Sequence, residues 1–214
     1  MKLEWIGHAC FRMTADDGTV VITDPYDESV GVEMLPFEAD MVTMSHEHHD
    51  HCETAMLVGH PRMVRGTQAA QVGGVATCAV ASWHDDAQGA LRGGNAIRVF
   101  DVDGLKIVHM GDQGCMPDEA ALQMIAEADV MLIPAGGVYT VDAQGAKAII
   151  ERTHPRCVIP MHVKTKRCAY AIAPVEPFLE AMGVSGARPV QMLEVSADAP
   201  KGVVLMQPLA DAMG

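Results

Sequence analysis

"MSHEHHDHC", Met44 to Cys52, places four histidines, a glutamate and an aspartate in the six positions from His46 to His51. The tract follows the strand-like "ADMVTMS" and precedes a helical pattern. It therefore reads as a strand-to-helix loop, the place where α/β proteins put ligand sites. In a chain that is still extended, residues two apart share a face. His46 then pairs with His48, while Glu47 and His49 turn away. Where the chain bends into the helix, Asp50 and His51 project together from its first turn. One loop thus offers a His pair and an Asp-His pair. The zincin pattern HExxH does not fit, because the residue four after His46 is Asp50. A His-rich surface tract is the competing reading.

A metal ion takes more than two protein ligands, so a built site needs partners elsewhere in the chain. Single ligand-type residues do recur where apolar strands stop. "VITDP" stops at Asp24, "VASWHDD" reaches His84, "IVHMGD" reaches Asp112 and "VIPMH" reaches His162. A sticky surface tract does not account for that repetition.

The 214 residues suit one domain covering 1–214, and 49% apolar residues are enough for a sizeable core. The net charge of −13 argues against a nucleic-acid partner. Lysine and arginine are dense only at Lys164, Lys166 and Arg167. No apolar run approaches the roughly 20 residues of a membrane span. "MKLEWIGHACF" reads as a strand rather than a signal peptide, so a soluble, cytoplasmic protein without a membrane partner is expected. The six cysteines form no CxxC pair and read as reduced thiols.

Asp17-Gly18 and Asp103-Gly104 sit between apolar alternations and predict two hairpins. Further strands are expected at "KLEWI", "DMVTMS", "RMVRG", "VATCAVAS", "ADVMLIP", "RCVIPMH", "VQMLEV" and "GVVLMQ". Helices are expected over "PDEAALQMIAEA", with Pro117 in its first turn, and over "DAQGAKAIIERTHP", with Asp142 as N-cap. Shorter ones are expected at "HCETAMLVG" and "VEPFLEAM". Several strands are apolar at both parities, which implies sheets covered on both faces.

The order Asp24, "HEHHDH", His84, Asp112, His162 resembles the signature of the metallo-β-lactamase superfamily over nearly the whole chain. That resemblance implies an α/β fold, a four-layer αββα sandwich with a dinuclear metal site on the shared edge of two sheets. It implies that His46, His48 and His84 hold one divalent ion, that Asp50, His51 and His162 hold a second, and that Asp112 bridges them. Asp24 would orient ligands by hydrogen bonds. "WIGHACF", "TDPY", "HMGDQG", "PAGGVYTVDA" and "IPMHVKT" resemble more narrowly the branch of L-ascorbate-phosphate lactonase and N-acyl phosphatidylethanolamine phospholipase D. The chain is shorter than those proteins, so their substrates do not carry over.

Such a ligand set implies zinc, with manganese or iron as alternatives. Two ions roughly 3.5–4 Å apart activate a bridging water for attack on a carbonyl carbon or phosphorus. Asp50 and Asp112 are the expected catalytic carboxylates, with Asp50 a candidate leaving-group acid. The expected substrate is a small, anionic ester, lactone or phosphoester. A nuclease or phosphodiesterase, a di-iron redox protein and a catalytically silent binding fold are the alternatives. His8, Tyr139 and Lys164 are candidate substrate contacts; a structural histidine, a packed loop tyrosine and a solvated lysine are the competing readings. Asp85, Asp86 and Asn95 read either as supports for ligands or as loop caps. Cys52, Cys115 and His109 read as packing residues, and His49, His60 and His154 as surface or capping residues.

Overall fold

The computed structural model describes residues 1–32, 34–198 and 200–212; positions 33, 199, 213 and 214 of the expected domain lie outside the described residues. In chain order the elements are β1 (Lys2–Gly7), β2 (Cys10–Thr14), β3 (Val20–Thr23), β4 (Phe37–Glu38), β5 (Met41–Met44), α1 (His49–Cys52), β6 (Leu57–Val58), β7 (Arg62–Arg65), β8 (Ala70–Val72), β9 (Val75–Trp83), β10 (Gly94–Val102), β11 (Leu105–His109), α2 (Glu119–Ile125), β12 (Val130–Pro134), α3 (Ala143–Thr153), β13 (Cys157–Met161), α4 (Glu176–Ala181), β14 (Met192–Glu194), β15 (Gly202–Val203) and α5 (Leu209–Ala212). A 3₁₀ turn covers Glu28–Val30.

Two sheets carry the fold, with strand orders β14-β1-β2-β3-β5-β7 and β15-β13-β12-β11-β10-β9-β8; β4 and β6 form a separate pair. Their facing side chains share one apolar cluster, in which Leu3, Phe11 and Met13 of the first sheet meet Ile97, Phe100 and Ile107 of the second. Ala121 and Ile125 of α2 and Ala146, Ile149 and Ile150 of α3 join the same cluster. Strands β5, β12 and β13 are buried at every position, as apolar residues on both parities require. A second cluster puts Cys10, Ile22, Val42 and Met44 of the first sheet against Tyr26, Val30, Met34 and Phe37. That outer layer is thin, because the described residues between 25 and 40 form loop, one 3₁₀ turn and β4 instead of a long helix. The mixed α/β metallo-β-lactamase architecture expected from the sequence is the one observed. No helix among the described residues is long and apolar enough to cross a membrane.

Strand direction collects the chemistry. In the first sheet β3 runs parallel to β5 and antiparallel to β2, which is antiparallel to β1. β1, β3 and β5 therefore end on one edge. In the second sheet β9 and β11 both run antiparallel to β10, and β11, β12 and β13 are parallel. Their C-terminal ends likewise share an edge. His8, Asp24, His46, His84, Asp112 and His162 all follow these ends.

Both hairpins form as expected. At the second turn Asp103 and Gly104 have φ of +54° and +74°, the left-handed pair of a two-residue turn. Asp142 caps α3 by accepting from the N–H groups of Gln144 and Gly145, and His154 closes it in the left-handed region. Several boundaries differ from expectation. The strand expected over "GVVLMQ" covers only Gly202–Val203. The helix after the histidine tract covers only His49–Cys52. Glu53 turns extended and its carboxylate accepts from Ala55 N, after which Leu57–Val58 pairs with Phe37–Glu38. In α2 the N-cap is Asp118, which accepts from Ala121 N at 2.8 Å, so Pro117 stands before the helix and not in its first turn.

Candidate metal centre

Asp112 is the hub. Its Oδ1 lies 3.2 Å from His51 Nε2, and its Oδ2 lies 3.1 Å from His84 Nε2 and 3.3 Å from His162 Nε2. The aspartate sits three residues beyond β11, on a turn that needs Gly111 at φ +55°. A Cβ at Gly111 would collide with Asn95 and Ser45. Asn95 holds the turn from β10: its Oδ1 accepts from Asp112 N at 3.0 Å and its Nδ2 donates to Met110 O. Asn95 is thus a support for Asp112.

His46 and His48 leave β5 on the same side, with His46 Nε2 and His48 Nδ1 3.0 Å apart. Together with His84 they can offer ligand atoms within 4.8 Å of one another. His8, Asp50, His51 and His162 form a second such group. Asp24, His46 and His51 form a third group that straddles the first two, and His8 is a member that the sequence did not place among the ligands. Glu47 turns outward to Arg65 at 2.9 Å, and exposed His49 pairs with Asp27 at 3.1 Å.

Asp24 ties the two groups together. Its Oδ2 accepts from His51 Nδ1 at 2.9 Å and from Ser45 Oγ at 2.5 Å, while Oδ1 accepts from Ser45 N. Ser45 Oγ, its one proton given to Asp24, accepts from His46 Nδ1 at 2.9 Å. Asp24 thereby sets the tautomers of both His46 and His51, leaving each Nε2 for the site. The backbone is under tension here: His8, Asp24 and His162 all have φ between +38° and +53°, a region non-glycine residues occupy only when their surroundings hold them there.

The residues present fit metal ions. Among the described residues, six of the eight buried side-chain nitrogens and oxygens without a hydrogen bond belong to His8, His51, His84, Asp112 and His162. Buried polar groups are rarely left unpaired without a reason. Imidazole and carboxylate donors converging in this way suit divalent ions.

Protonation follows the same geometry. Burial, reinforced by His162, pushes His8 down to about 3, and burial with His51 nearby takes His46 to about 3. Both rings are neutral, as ligands must be. Burial alone would lower His51 too, but Asp112 and Asp24 hold it well above the usual imidazole value. Burial would raise Asp112, yet His162 and His51 keep it well below the carboxylate range.

A cavity of about 360 Å³ opens over Asp50, Asp112 and the histidines, and Arg92, Tyr139 and Tyr170 wall its mouth. Tyr139, expected there from the sequence, is in place. His8 is buried behind the wall, its Nε2 3.4 Å from Asp50 Oδ2 and its ring centroid 4.0 Å from that of His162, the two planes tilted by 42°. That position supports ligands instead of touching a substrate. Lys164 corrects its expected place: Nζ donates to Cys168 O and Tyr170 O, so the ammonium closes a loop and stays out of the cavity. Two wall residues are not legible in the sequence. Tyr170 lies eight positions past His162 with no local signal; its phenol is 2.9 Å from Ser29 Oγ and is pushed up to about 12 by burial. Arg92 stands in the "RGGN" stretch, where Asn95 is the residue that the pattern singles out.

The remaining residues are structural. Asp85 accepts from four backbone N–H groups of its own loop. His109 bonds to Ala9 O and Gly111 N. Burial raises the thiols of Cys52 and Cys115, which keeps them neutral and unsuited to nucleophilic attack.

A family model described as a beta-lactamase superfamily domain matches residues 2–162. A UPF0173 metal-dependent hydrolase of Thermoplasma acidophilum is 29% identical over 190 residues, 77% of this chain and 84% of that protein. One from Archaeoglobus fulgidus is 27% identical over 198 residues, with the same shares. A solved structure from Thermotoga maritima, described as a proposed Zn-dependent hydrolase of the metallo-β-lactamase superfamily, superposes with a TM-score of 0.79 at 33% identity, covering 96% of this chain and 97% of that one. With fold, strand-end site and relatives in agreement, the chain belongs to the metallo-β-lactamase superfamily and is one of its metal-dependent hydrolases.

Proposed function

We propose that the protein hydrolyses a small, anionic ester, lactone or phosphoester at a dinuclear centre. The observation that carries this reading is the Asp112 carboxylate, within 3.3 Å of His51, His84 and His162 and so shared between the two ligand groups. His46, His48 and His84 would hold one ion and Asp50, His51 and His162 the other, with Asp112 common to both. Zinc suits this donor set, and manganese or iron also fit it. When bound, such ions supply Lewis-acid polarisation of the substrate oxygen and an acidified water.

The chain's own groups do the rest. Asp24, through His51 and Ser45, keeps both Nε2 atoms aimed at the site. Asp50 is held below the usual carboxylate range by His8 and His51 against the opposing effect of burial; ionised at the cavity floor, it is suited to holding a cation, and its low basicity makes it a weak proton carrier. Tyr139 and Tyr170 narrow the mouth and limit water access. The cavity volume is at the low end for small-molecule sites, which suits a small substrate and not a polymer. The resemblance to the lactonase and phospholipase D branch supports lactone and phosphoester chemistry.

Metal analysis of protein purified without added metal, followed by assays on bis-(p-nitrophenyl) phosphate and a lactone panel, tests the reading. Two metal ions per chain and turnover on one class are expected. Silence on both classes with metal bound would remove the substrate assignment. Full activity in both His48→Ala and Asp112→Ala would remove the dinuclear mechanism.

A further inference from the structure

We infer that Arg92 is the anion-reading residue of this site, its guanidinium binding a carboxylate or phosphate oxyanion of the substrate at the cavity mouth. This role rests on the metal-site reading above and specifies how that site recognises charge.

Among the described residues, Arg92 is the one arginine or lysine that lines the cavity with His48, Asp50, His84, Asp112 and His162. The chain carries a net charge of −13, yet no carboxylate lies within ion-pair distance of Arg92 among the described residues. Arg12, Arg65, Arg152 and Arg156 do have such partners, in Glu4, Glu47, Glu119 and Asp129; among the described residues Arg62, Arg98 and Arg188 also lack one, but none of these lines the cavity. An arginine left without a counter-ion in an acidic protein, facing a metal-ligand cluster, is a receptor for an incoming anion.

The side chain is also built in. The loop after His84 winds around the Asp85 carboxylate, which accepts from the backbone N–H groups of Ala87, Gly89, Leu91 and Arg92 at 2.7–3.0 Å. That ties the Arg92 backbone to the residue next to a metal-ligand candidate. On the other side Arg92 Nη2 donates to Val138 O at 3.2 Å, and the guanidinium lies 5.7 Å from the Tyr139 ring centroid. Tyr139 in turn meets Tyr170 edge-on at 5.9 Å. One N–H is occupied by Val138 O. The others of the planar fork remain for a ligand, and the fork geometry matches two oxygens of a carboxylate or phosphate.

The competing role is a pin, in which Arg92 merely joins the 85–92 loop to Val138. Calorimetric titration separates the two. Zinc-loaded full-length protein, wild type, Arg92→Gln and Arg92→Lys, is titrated with phenylphosphonate and with benzoate, and thermal midpoints are recorded alongside. Arg92→Gln is expected to raise Kd about tenfold or more for at least one anion, and Arg92→Lys to recover part of the loss because it keeps charge without the fork. The anion more affected tells phosphate from carboxylate. If Arg92→Gln does not fold, a threefold or larger rise of Kd in Arg92→Lys supports the role and an unchanged Kd overturns it. Unchanged Kd for both anions in a folded Arg92→Gln, with or without a lowered midpoint, overturns the inference, as does absence of saturable binding of either anion to the wild type. Turnover is not read here, so failure of every hydrolysis assay would overturn the proposed reaction and leave this result standing.

Discussion

Asp24 Oδ2 accepts from His51 Nδ1 at 2.9 Å, and the same oxygen accepts from Ser45 Oγ, which holds His46. One carboxylate thus aims a histidine in each ligand group. Asp24→Asn presents an amide that cannot accept at both oxygens, and metal affinity is expected to fall about 10- to 100-fold. Ser45→Ala, which cuts only the His46 branch, should cost less. Chelator-competition titrations check the order; equal affinities in all three proteins would refute the relay.

Metal uptake should release protons. In the metal-free protein burial disfavours the His51 cation, but Asp112 and Asp24 more than offset it and keep the ring protonated near neutrality. A ligand must be neutral. Zinc binding at pH 7 is therefore expected to expel about one proton from His51 and none from His46, and affinity should fall as pH is lowered. Calorimetry in two buffers of unlike ionisation enthalpy measures the number. Saturating metal, at about 100-fold above its Kd, should add roughly 2.7 kcal/mol of stability, lost again on chelation.

Gly136 is a close-approach position. A Cβ there would run into the His162 carbonyl, whose residue already sits at φ +50°. Gly136→Ala is expected to destabilise by about 1–3 kcal/mol and to weaken metal binding together with stability. Gly94→Ala is the control, since its nearest neighbour would be Ser82 O at 3.8 Å. Urea melts and zinc titrations of the two variants should diverge.

Alkaline pH should loosen the fold through Cys157. Burial raises its thiol from 9.0 to about 11, against a small opposing effect of Arg156. The folded thiol keeps its proton to higher pH than the unfolded one. This contribution is therefore complete below about pH 9 and lost as pH rises to about 11. The wild type is expected to lose more urea stability than Cys157→Ala between pH 8 and 10.5. Parallel losses would show that the thiol plays no part.

The site is legible in the sequence where chemistry contrasts with its surroundings. A lone aspartate or histidine at the end of an apolar strand has few structural reasons to be there, so Asp24, His84, Asp112 and His162 stand out, and the alternation across His46–His51 turns Glu47 out to Arg65. His49, expected to turn away as well, pairs with Asp27 yet still lines the cavity, because the chain is already helical there. The departures lie in loops. Lys164 is two positions from His162, but free carbonyls at Cys168 and Tyr170 capture its ammonium. The helix expected at 51–59 stops early because Glu53 makes a local turn and Leu57–Val58 finds a strand partner.

Strand periodicity and residue type by themselves determined sheets covered on both faces and lone ligand-type residues at strand ends, because an apolar strand carries its terminal residue to a predictable edge; the four-layer sandwich and the grouping around Asp112 were what the family resemblance implied. Only the tertiary structure decided that Arg92 and Tyr170 join Tyr139 in walling the cavity. Arg92 reaches it because the chain folds around Asp85, Tyr170 because the segment after His162 returns across Ser29, and His8 joins the ligand cluster because a left-handed residue after β1 turns its ring inward. The contact of Asp85 with Arg92 spans only seven residues, but the meeting of Arg92 with Val138 and of Tyr170 with Ser29 joins segments tens of residues apart, which no local pattern encodes.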